Sequence, residues 1–336
     1  MTQWWLAPIV VLISLLMTAA LRRYALAKNV IDVPNARSSH VTPTPRGGGV
    51  AIVSSFLLAL GTLGASDLLE ADTLLALAGA GGLVAIIGFI DDHRHVDVRW
   101  RLMGHFAAAA WSLFWMGGLP PLEILGVTIN LGWTGAVLFT LYLVWLLNLY
   151  NFMDGIDGIA SIEAICTSLG ACILYWLHGT EHMMLLPAIL SMAVMGFLYW
   201  NFPPAKIFMG DAGSGFLGIT LGILSLQAAW ISPQLFWCWL ILLGVFVVDA
   251  TFTLMRRLVR GERIYEGHRC HAYQFASRRM GGHLPVAIAV MLINLCWLLP
   301  VAVSVVLLQL DGFVALLIAY TPLVALAVAC NAGGVE

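Results

Sequence analysis

The feature that most constrains this chain is a series of about eleven apolar segments, each close to 20 residues long. Segments of this length match the hydrocarbon thickness of a bilayer, and 61% of the 336 residues are hydrophobic while only 10% are charged. The sequence therefore predicts an all-α polytopic membrane protein with about 10 or 11 transmembrane helices. The predicted segments are 3–21, 48–66, 72–90, 102–118, 133–150, 158–177, 183–200, 213–230, 234–255, 284–307 and 312–330.

The connections between segments are short, and no repeat, low-complexity tract or long linker divides the chain. Residues 1–336 are therefore predicted to form a single integral membrane domain. Residues 1–21 lack a basic start and a small-residue cleavage site, which favours a retained helix over a secretory signal. The six cysteines are scattered, so no disulfide framework is indicated.

All 16 Lys and Arg residues lie in alternate connections, which we call the inner connections: residues 22–47, 91–101, 151–157, 201–212 and 256–283. Positive charge favours the cytoplasmic side of short loops, so these connections are predicted to be cytoplasmic and the N-terminus periplasmic. The same connections hold the densest Asp, Asn and His clusters. A basic surface at the membrane attracts anionic lipid or phosphorylated ligands; nothing in the sequence indicates nucleic-acid binding.

The first inner connection contains His40, three prolines, and Arg46 followed by three glycines. Such a segment offers backbone N–H groups on which a phosphate could rest beside Arg46. An ordinary glycine-rich entry into the next helix explains the pattern equally well. The segment alone leaves both interpretations open.

Acidic and amide side chains dominate the second, third and fourth inner connections. The adjacent carboxylates Asp91 and Asp92 repel each other unless a cation lies between them, which favours magnesium and phosphate chemistry over a charge-balanced loop. Asn148, Asn151 and Asp154 recur every three residues and share one face of a helix end. The third connection also contains Gly155 and Asp157 and is followed by Gly158, and the fourth contains Phe208, Gly210 and Asp211. Phe208 either stacks on a planar base or packs in the membrane.

The fifth inner connection contains His268, Arg269, Cys270 and His271. The spacing is not a standard zinc pattern, and a cationic arm closing over a pyrophosphate fits better. The alternative is that the arginines of this connection, Arg256 and Arg257 among them, bind anionic lipid. Two acids inside apolar segments, Glu163 and Asp249, are either functional groups or structural partners.

Together these motifs resemble the polyprenyl-phosphate N-acetylhexosamine-1-phosphate transferases of glycosyltransferase family 4, in the WecA-, TagO- and WbpL-like branch related to MraY. The resemblance runs from residue 32 to 274, in this order: Asp32-x-Pro-Asn-x-Arg37-x-x-His40, Asp91-Asp92, Asn148-x-x-Asn151-x-x-Asp154-Gly-x-Asp157-Gly, and Phe208-Met-Gly-Asp211-x-Gly-Ser214. The last motif, His268-Arg-Cys-His271, departs from the histidine run of the muramyl-pentapeptide enzymes.

This resemblance implies transfer of an N-acetylhexosamine-1-phosphate, or a 6-deoxy relative, from a UDP-sugar to undecaprenyl phosphate, with release of UMP. It implies the start of O-antigen or other envelope polysaccharide synthesis, a location in the bacterial inner membrane with its surrounding lipid, and a homodimer. Mg²⁺, or Mn²⁺ in its place, would be bound by Asp211, Asp154 and Asp92. Catalytic roles would fall to Asp91, Asp92, Asp154, Asp157, Asp211, His268 and His271, and substrate binding to His40, Arg46, Asn148, Asn151, Phe208, Gly210 and Arg269.

Two other functional classes were weighed against this one. A UbiA-like intramembrane prenyltransferase also uses paired aspartates with magnesium, but it does not account for the Phe208-Met-Gly-Asp211 segment. A transporter would explain the many apolar segments and Asp249, yet transporters place their polar sites near the membrane midplane rather than in loops.

Overall fold

The computed structural model describes residues 3–34, 38–94, 96–262 and 268–334, so Arg37 of the first motif lies outside the described residues. Within these ranges the predicted all-α class is confirmed, with two short antiparallel strand pairs at the helix ends. The helices are α1 Leu6–Lys28, α2 Val50–Ala65, α3 Ala71–His93, α4 Val98–Met116, α5 Gly132–Met153, α6 Ile159–His178, α7 Leu185–Asn201, α8 Asp211–Ile231, α9 Pro233–Leu242, α10 Gly244–Val259, α11 Ala272–Met280, α12 His283–Ile293, α13 Leu299–Leu307 and α14 Gly312–Ala329. The strands are β1 Ile31–Asp32, β2 Thr44–Pro45, β3 Leu122–Ile124 and β4 Val127–Ile129.

Every predicted apolar segment coincides with a helix or with two consecutive helices. Among the described residues, eight helical segments are long and apolar enough to cross a membrane, or up to nine when the bent pair α9–α10 is taken as one. The predicted number of eleven is therefore not confirmed. Helix α2 has only 16 residues, and α4 carries Arg99 and Arg101 in its first turn. Neither is therefore among the helices that are long and apolar enough to cross a membrane.

Helix α8 forms the centre of the bundle and is buried along nearly its whole length. It packs against α3 and α5, and small residues bring the helix backbones close together. A Cβ on Gly218 would lie 2.7 Å from Leu147 Cα in α5, and one on Gly88 would lie 2.5 Å from the backbone of Asp211. This close approach places the end of α3, with Asp91 and Asp92, directly beside the start of α8.

The apolar segment predicted as one span at 234–255 is broken instead. Helices α9 and α10 meet at an angle of 68° around Leu243 and Gly244. A break inside the membrane frees backbone groups that protein side chains must satisfy. The buried Glu163 lies beside this break, near the Phe246 amide at the start of α10, and its Oε2 accepts a 2.7 Å hydrogen bond from the Asn294 side chain.

Candidate active site

The first, third, fourth and fifth inner connections line one polar cavity of about 340 Å³, and the second does not. Eight of the fourteen candidate residues line it: His40, Arg46, Asn151, Asp154, Asp157, Phe208, Gly210 and Asp211. The other six do not: Asp91, Asp92, Asn148, His268, Arg269 and His271. The sequence motifs thus correspond to one site, with some members placed behind its wall.

Two arginines link the acidic residues beside the cavity. Arg46 Nη2 lies 2.7 Å from Asp92 Oδ1 and 2.7 Å from Asp211 Oδ1. Arg101 Nη1 lies 2.6 Å from Asp91 Oδ2, and its Nη2 lies 3.5 Å from Asp211 Oδ2. Burial disfavours the charge of Arg46, but the surrounding carboxylates, Asp211 first, outweigh it and raise the pKa of the guanidinium. Asp211 is therefore held between two cations supplied by the chain itself.

Asp92 caps helix α8 in addition to pairing with Arg46. Its Oδ1 accepts from the backbone N–H of Asp211 at 3.0 Å, and its Oδ2 accepts from that of Ala212 at 3.3 Å. A Cβ on Gly210 would lie 2.6 Å from Asp92 Oδ2, so the glycine leaves room for this contact. The backbone N–H groups at this helix start, a position that favours an anion, are thus occupied by a carboxylate of the chain itself.

The glycine-rich segment after Arg46 has a structural role. The backbone N–H groups of Gly48 and Gly49 donate to the carbonyl oxygens of Phe208 and Met209, both at 2.9 Å. A Cβ on Gly49 would lie 2.4 Å from Gly213 Cα, so the side chain must be absent for this packing. Of the two interpretations left open by the sequence, the structural one describes these two glycines, because their N–H groups join the first inner connection to the fourth.

The end of α5 places Asn151 and Asp154 in the cavity wall. The Asn151 side chain lies within hydrogen-bonding reach of Asp211. Removal from water, followed by the nearby carboxylates of Asp211, Asp92 and Asp157, raises the pKa of Asp154 well above its usual range. The surroundings of Asp154 therefore disfavour a further negative charge at this position.

The opposite part of the cavity wall is aromatic. His40 and Phe208 meet edge to face, with ring centroids 4.8 Å apart, and both line the cavity. The backbone N–H of Phe208 donates to the Pro45 carbonyl oxygen at 2.8 Å, which fixes the ring relative to the first connection. Phe208 therefore presents an apolar surface to the cavity, as its proposed stacking role requires.

Asn148 lies one helical turn before Asn151 and faces a different neighbour. Its side chain donates to the Val144 carbonyl oxygen at 2.7 Å and lies 3.4 Å from Nδ1 of the buried His105. His105 and Arg101 both belong to α4, one turn apart. Asn148 is thus placed on the Arg101 side of the acidic cluster rather than in the cavity lining.

The acid inside the ninth apolar segment caps helix α11. Asp249 accepts hydrogen bonds from the backbone N–H groups of Ala272 at 2.9 Å and Tyr273 at 3.0 Å. His271 Nδ1 lies 3.3 Å from the same carboxylate. The His268 ring stacks on His271, and burial, with charge from His271, lowers the pKa of His268 to about 3. His271 therefore faces Asp249, and Nδ1 of His268 lies 3.1 Å from Cys270 Sγ. Neither histidine lines the cavity, whereas Gln274 of α11 does.

We expect Asp249→Asn to destabilise the protein. The carboxylate accepts hydrogen bonds from the Ala272 and Tyr273 N–H groups with its two oxygens, whereas the amide has only one acceptor oxygen. A buried N–H left without its acceptor costs about 1–3 kcal/mol. The apparent midpoint of thermal unfolding in detergent should fall by several degrees. Asp67→Asn, the same substitution at an exposed position, is the control. An unchanged midpoint for Asp249→Asn would contradict the capping role.

Four residues beside the site were not singled out by the sequence motifs: Arg101, His105, Asn201 and His283. Asn201 Oδ1 accepts from the Gly158 N–H at 3.0 Å, and its Nδ2 donates to the Ile207 carbonyl oxygen at 3.0 Å. In the sequence, Arg101 is one of three arginines in the second inner connection, with Arg94 and Arg99. In the structure Arg94 is exposed, whereas Arg101 pairs with Asp91. Helix spacing would have linked Arg101 to His105, since the two are four residues apart.

Among the described residues, no group of three or more His, Cys, Asp or Glu side chains is arranged to hold a metal ion. The reason lies in the ion pairs. The guanidinium groups of Arg46 and Arg101 lie against the carboxylates of Asp92, Asp211 and Asp91. The two guanidinium groups thus contact carboxylate oxygens that a metal ion would otherwise use as ligands.

Comparison with known proteins agrees with this geometry. The family model for glycosyl transferase family 4 matches residues 74–229, which include the paired aspartates, the α5 motif and Asp211. Over these residues the chain is similar to glycosyl transferase family 4. The family resemblance predicted from the motifs is therefore confirmed for this part of the chain, and the protein is a multi-pass membrane transferase similar to this family.

Individual relatives cover different shares of the chain. A probable undecaprenyl-phosphate N-acetylglucosaminyl 1-phosphate transferase of Bacillus subtilis is 26% identical over 84% of this chain and 78% of its own length. A decaprenyl-phosphate N-acetylglucosaminephosphotransferase of Mycolicibacterium smegmatis is 34% identical over 65% of this chain and 58% of its own length. A phospho-N-acetylmuramoyl-pentapeptide-transferase of Moorella thermoacetica is 28% identical over 55% of this chain and 61% of its own length.

Proposed function

We propose that this protein, similar to glycosyl transferase family 4, transfers an N-acetylhexosamine-1-phosphate, or a 6-deoxy relative, from a UDP-sugar to undecaprenyl phosphate. An acceptor phosphate oxygen attacks the β-phosphorus, the bond from that phosphorus to the bridging oxygen breaks, and UMP leaves with that oxygen. The observation that carries the proposal is the placement of Asp211 between Arg46 and Arg101 at the wall of a polar cavity. The names of the relatives support the reaction class.

A divalent metal fits the chemistry of this donor set. The carboxylates of Asp154 and Asp211 line the cavity, that of Asp92 adjoins them, and oxygen-only ligation suits Mg²⁺ or Mn²⁺. The raised pKa of Asp154 marks a position where a further negative charge is disfavoured. When bound, the metal would neutralise negative charge on the donor pyrophosphate. Asp211 and Asp154 would hold it, with Asp92 contributing once Arg46 has moved away.

In this proposal Arg46 changes partners. It bridges Asp92 and Asp211 in the structure, its side chain is 31% exposed, and it lines the cavity. A pyrophosphate entering the cavity would offer the guanidinium a stronger bidentate partner. Arg46 would then stabilise charge on the transferred phosphate while the released carboxylates bind the cation.

The two substrates would approach from different sides. Phe208 and His40 form the aromatic wall suited to the uracil and the nucleotide phosphates. Asp91, Arg101, His105 and Asn148 lie on the other side of Asp211, where the acceptor phosphate would bind against Arg101. A lipid phosphate is already largely ionised near neutral pH, so Asp91 would orient Arg101 rather than act as a strong base.

The remaining parts of the proposal follow from the same reaction. The one-sided cations favour an active site on the cytoplasmic side of a bacterial inner membrane, with the N-terminus periplasmic. Formation of a lipid-linked sugar is the first step of an envelope polysaccharide such as an O-antigen. His268, Arg269 and His271 would grip the donor phosphates only after the arm preceding α11 rearranges, since His271 now faces Asp249. A homodimer is also proposed.

The donor is tested with purified protein, Mg²⁺, undecaprenyl phosphate and a panel of UDP-sugars. We expect UMP release with UDP-N-acetylglucosamine or a UDP-N-acetylated 6-deoxyhexose, and no release without the acceptor or with excess chelator. Absence of UMP with every donor of the panel would overturn the proposal.

A further inference from the structure

The imidazole of His283 joins connections that the sequence motifs treat separately. Its Nδ1 lies 3.1 Å from Asp157 Oδ1, and its Nε2 lies 3.2 Å from the carbonyl oxygen of Ser39. His283 begins α12, Asp157 follows α5, and Ser39 lies between the paired strands β1 and β2. One side chain thus connects three separate parts of the chain.

The groups that His283 joins are poorly exposed. The side chain of His283 is 15% exposed and that of Asp157 is 11% exposed, so water competes weakly for their contact. Asp157 is fixed on its other side as well, because Oδ2 accepts from the Ala205 N–H at 3.0 Å. His283 is therefore the contact that ties the first inner connection, through Ser39, to this fixed carboxylate.

The connection held in this way forms part of the cavity. Ser38, Ser39 and His40 all line it, together with Asp157 and His283 themselves. His40 rests edge to face on Phe208, with centroids 4.8 Å apart. A shift of the Ser39 backbone would move His40 and leave Phe208 without that support. The Arg46–Asp92–Asp211 cluster has its own ion pairs and does not depend on this contact.

We propose that His283 is a positioning residue that holds residues 38–40 against Asp157 and so shapes the nucleotide end of the cavity. The inference rests on the proposed function, because it assigns this end to the donor nucleotide. Loss of the contact weakens donor binding and leaves the acceptor side and the reacting groups in place. If His283 only formed the start of α12, its loss would not weaken donor binding more than acceptor binding.

The first test is steady-state kinetics with UDP-N-acetylglucosamine, or with the donor of the panel that reacts. We expect His283→Leu to raise the KM for the donor about tenfold, the scale of one or two lost hydrogen bonds between shielded partners. The KM for undecaprenyl phosphate and kcat should change by less than about threefold. His182→Leu, at an exposed position in the 3-10 turn before α7, is the control and should change neither constant.

The second test does not depend on turnover. Asparagine places an amide near the Nδ1 position of histidine and glutamine places one near Nε2, so His283→Asn keeps the Asp157 contact and His283→Gln keeps the Ser39 contact. We expect faster backbone hydrogen exchange in residues 38–46 for His283→Leu and His283→Asn, and an intermediate rate for His283→Gln, which keeps the Ser39 contact but loses the one to Asp157. This pair also decides the question if the leucine variant does not fold.

The outcomes separate the two proposals. Wild-type protein that releases no UMP would refute the proposed function, whereas hydrogen exchange would still report on His283. Unchanged exchange in residues 38–46 for both His283→Leu and His283→Asn overturns the positioning role. A fall in kcat with unchanged donor KM also overturns it, because that result assigns His283 to the reacting end.

Discussion

Asp211→Asn is expected to lower turnover by about 10³-fold while the protein still inserts and folds. The carboxylate lies between Arg46 at 2.7 Å and Arg101 at 3.5 Å, where the proposed metal and the reacting phosphates meet. The amide keeps the size of the side chain and removes its charge. The loss should therefore appear in kcat and in magnesium dependence, measured as UMP release at several Mg²⁺ concentrations, rather than in thermal stability.

The matched control is Asp97→Asn, which makes the same change beside the same acidic cluster. Asp97 is exposed and caps α4 by accepting from the Arg99 N–H, a role that asparagine also fills well. Its turnover should stay within about twofold of wild type, as is usual for surface substitutions. Retained activity in Asp211→Asn would remove this residue from the site.

Arg46→Met is expected to lower kcat by about 10²-fold and at the same time to reduce the Mg²⁺ concentration needed for half-maximal activity. The two effects have opposite directions because Arg46 has two partners in the proposal. It competes with the metal for Asp92 and Asp211, each 2.7 Å away, before substrate binds. It then stabilises the phosphates during transfer. Magnesium titrations of turnover measure both quantities in one experiment.

Arg94→Met is the control, since Arg94 is exposed in the same inner connection as Asp91 and Asp92. Arg46→Lys adds a second comparison, because a lysine ammonium keeps the charge without the planar fork that reaches both carboxylates. It should fall between wild type and Arg46→Met. An Arg46→Met variant that needs more magnesium than wild type would contradict the proposed exchange of partners.

The sequence predicts the helix positions well because bilayer thickness sets the length of each apolar segment. The polar motifs of the first, third, fourth and fifth inner connections meet at one cavity, although the third contains none of the 16 cations. The break between α9 and α10 escapes this reasoning. Leu243 and Gly244 interrupt the helix without interrupting the apolar run. Glu163, the acid that lies beside this break, is far away in the chain.

The orientation of individual polar groups was harder to predict than their presence. The N–H groups of Gly48 and Gly49 bond to Phe208 and Met209, and the carboxylate of Asp92 fills the start of α8. These pairings join residues more than 100 positions apart, as the 119-residue separation of Asp92 and Asp211 illustrates. Local patterns identify a polar group, but its partner is decided by tertiary packing.

The fate of the β-phosphate of the donor tests the central proposal most directly. A UDP-sugar labelled in that phosphorus is incubated with the purified protein, Mg²⁺ and undecaprenyl phosphate, and the lipid and aqueous products are separated. Sugar-1-phosphate transfer predicts label in the lipid fraction and unlabelled UMP in water, in equal amounts. Labelled UDP in the aqueous fraction, with an unlabelled lipid-linked sugar, would contradict the account.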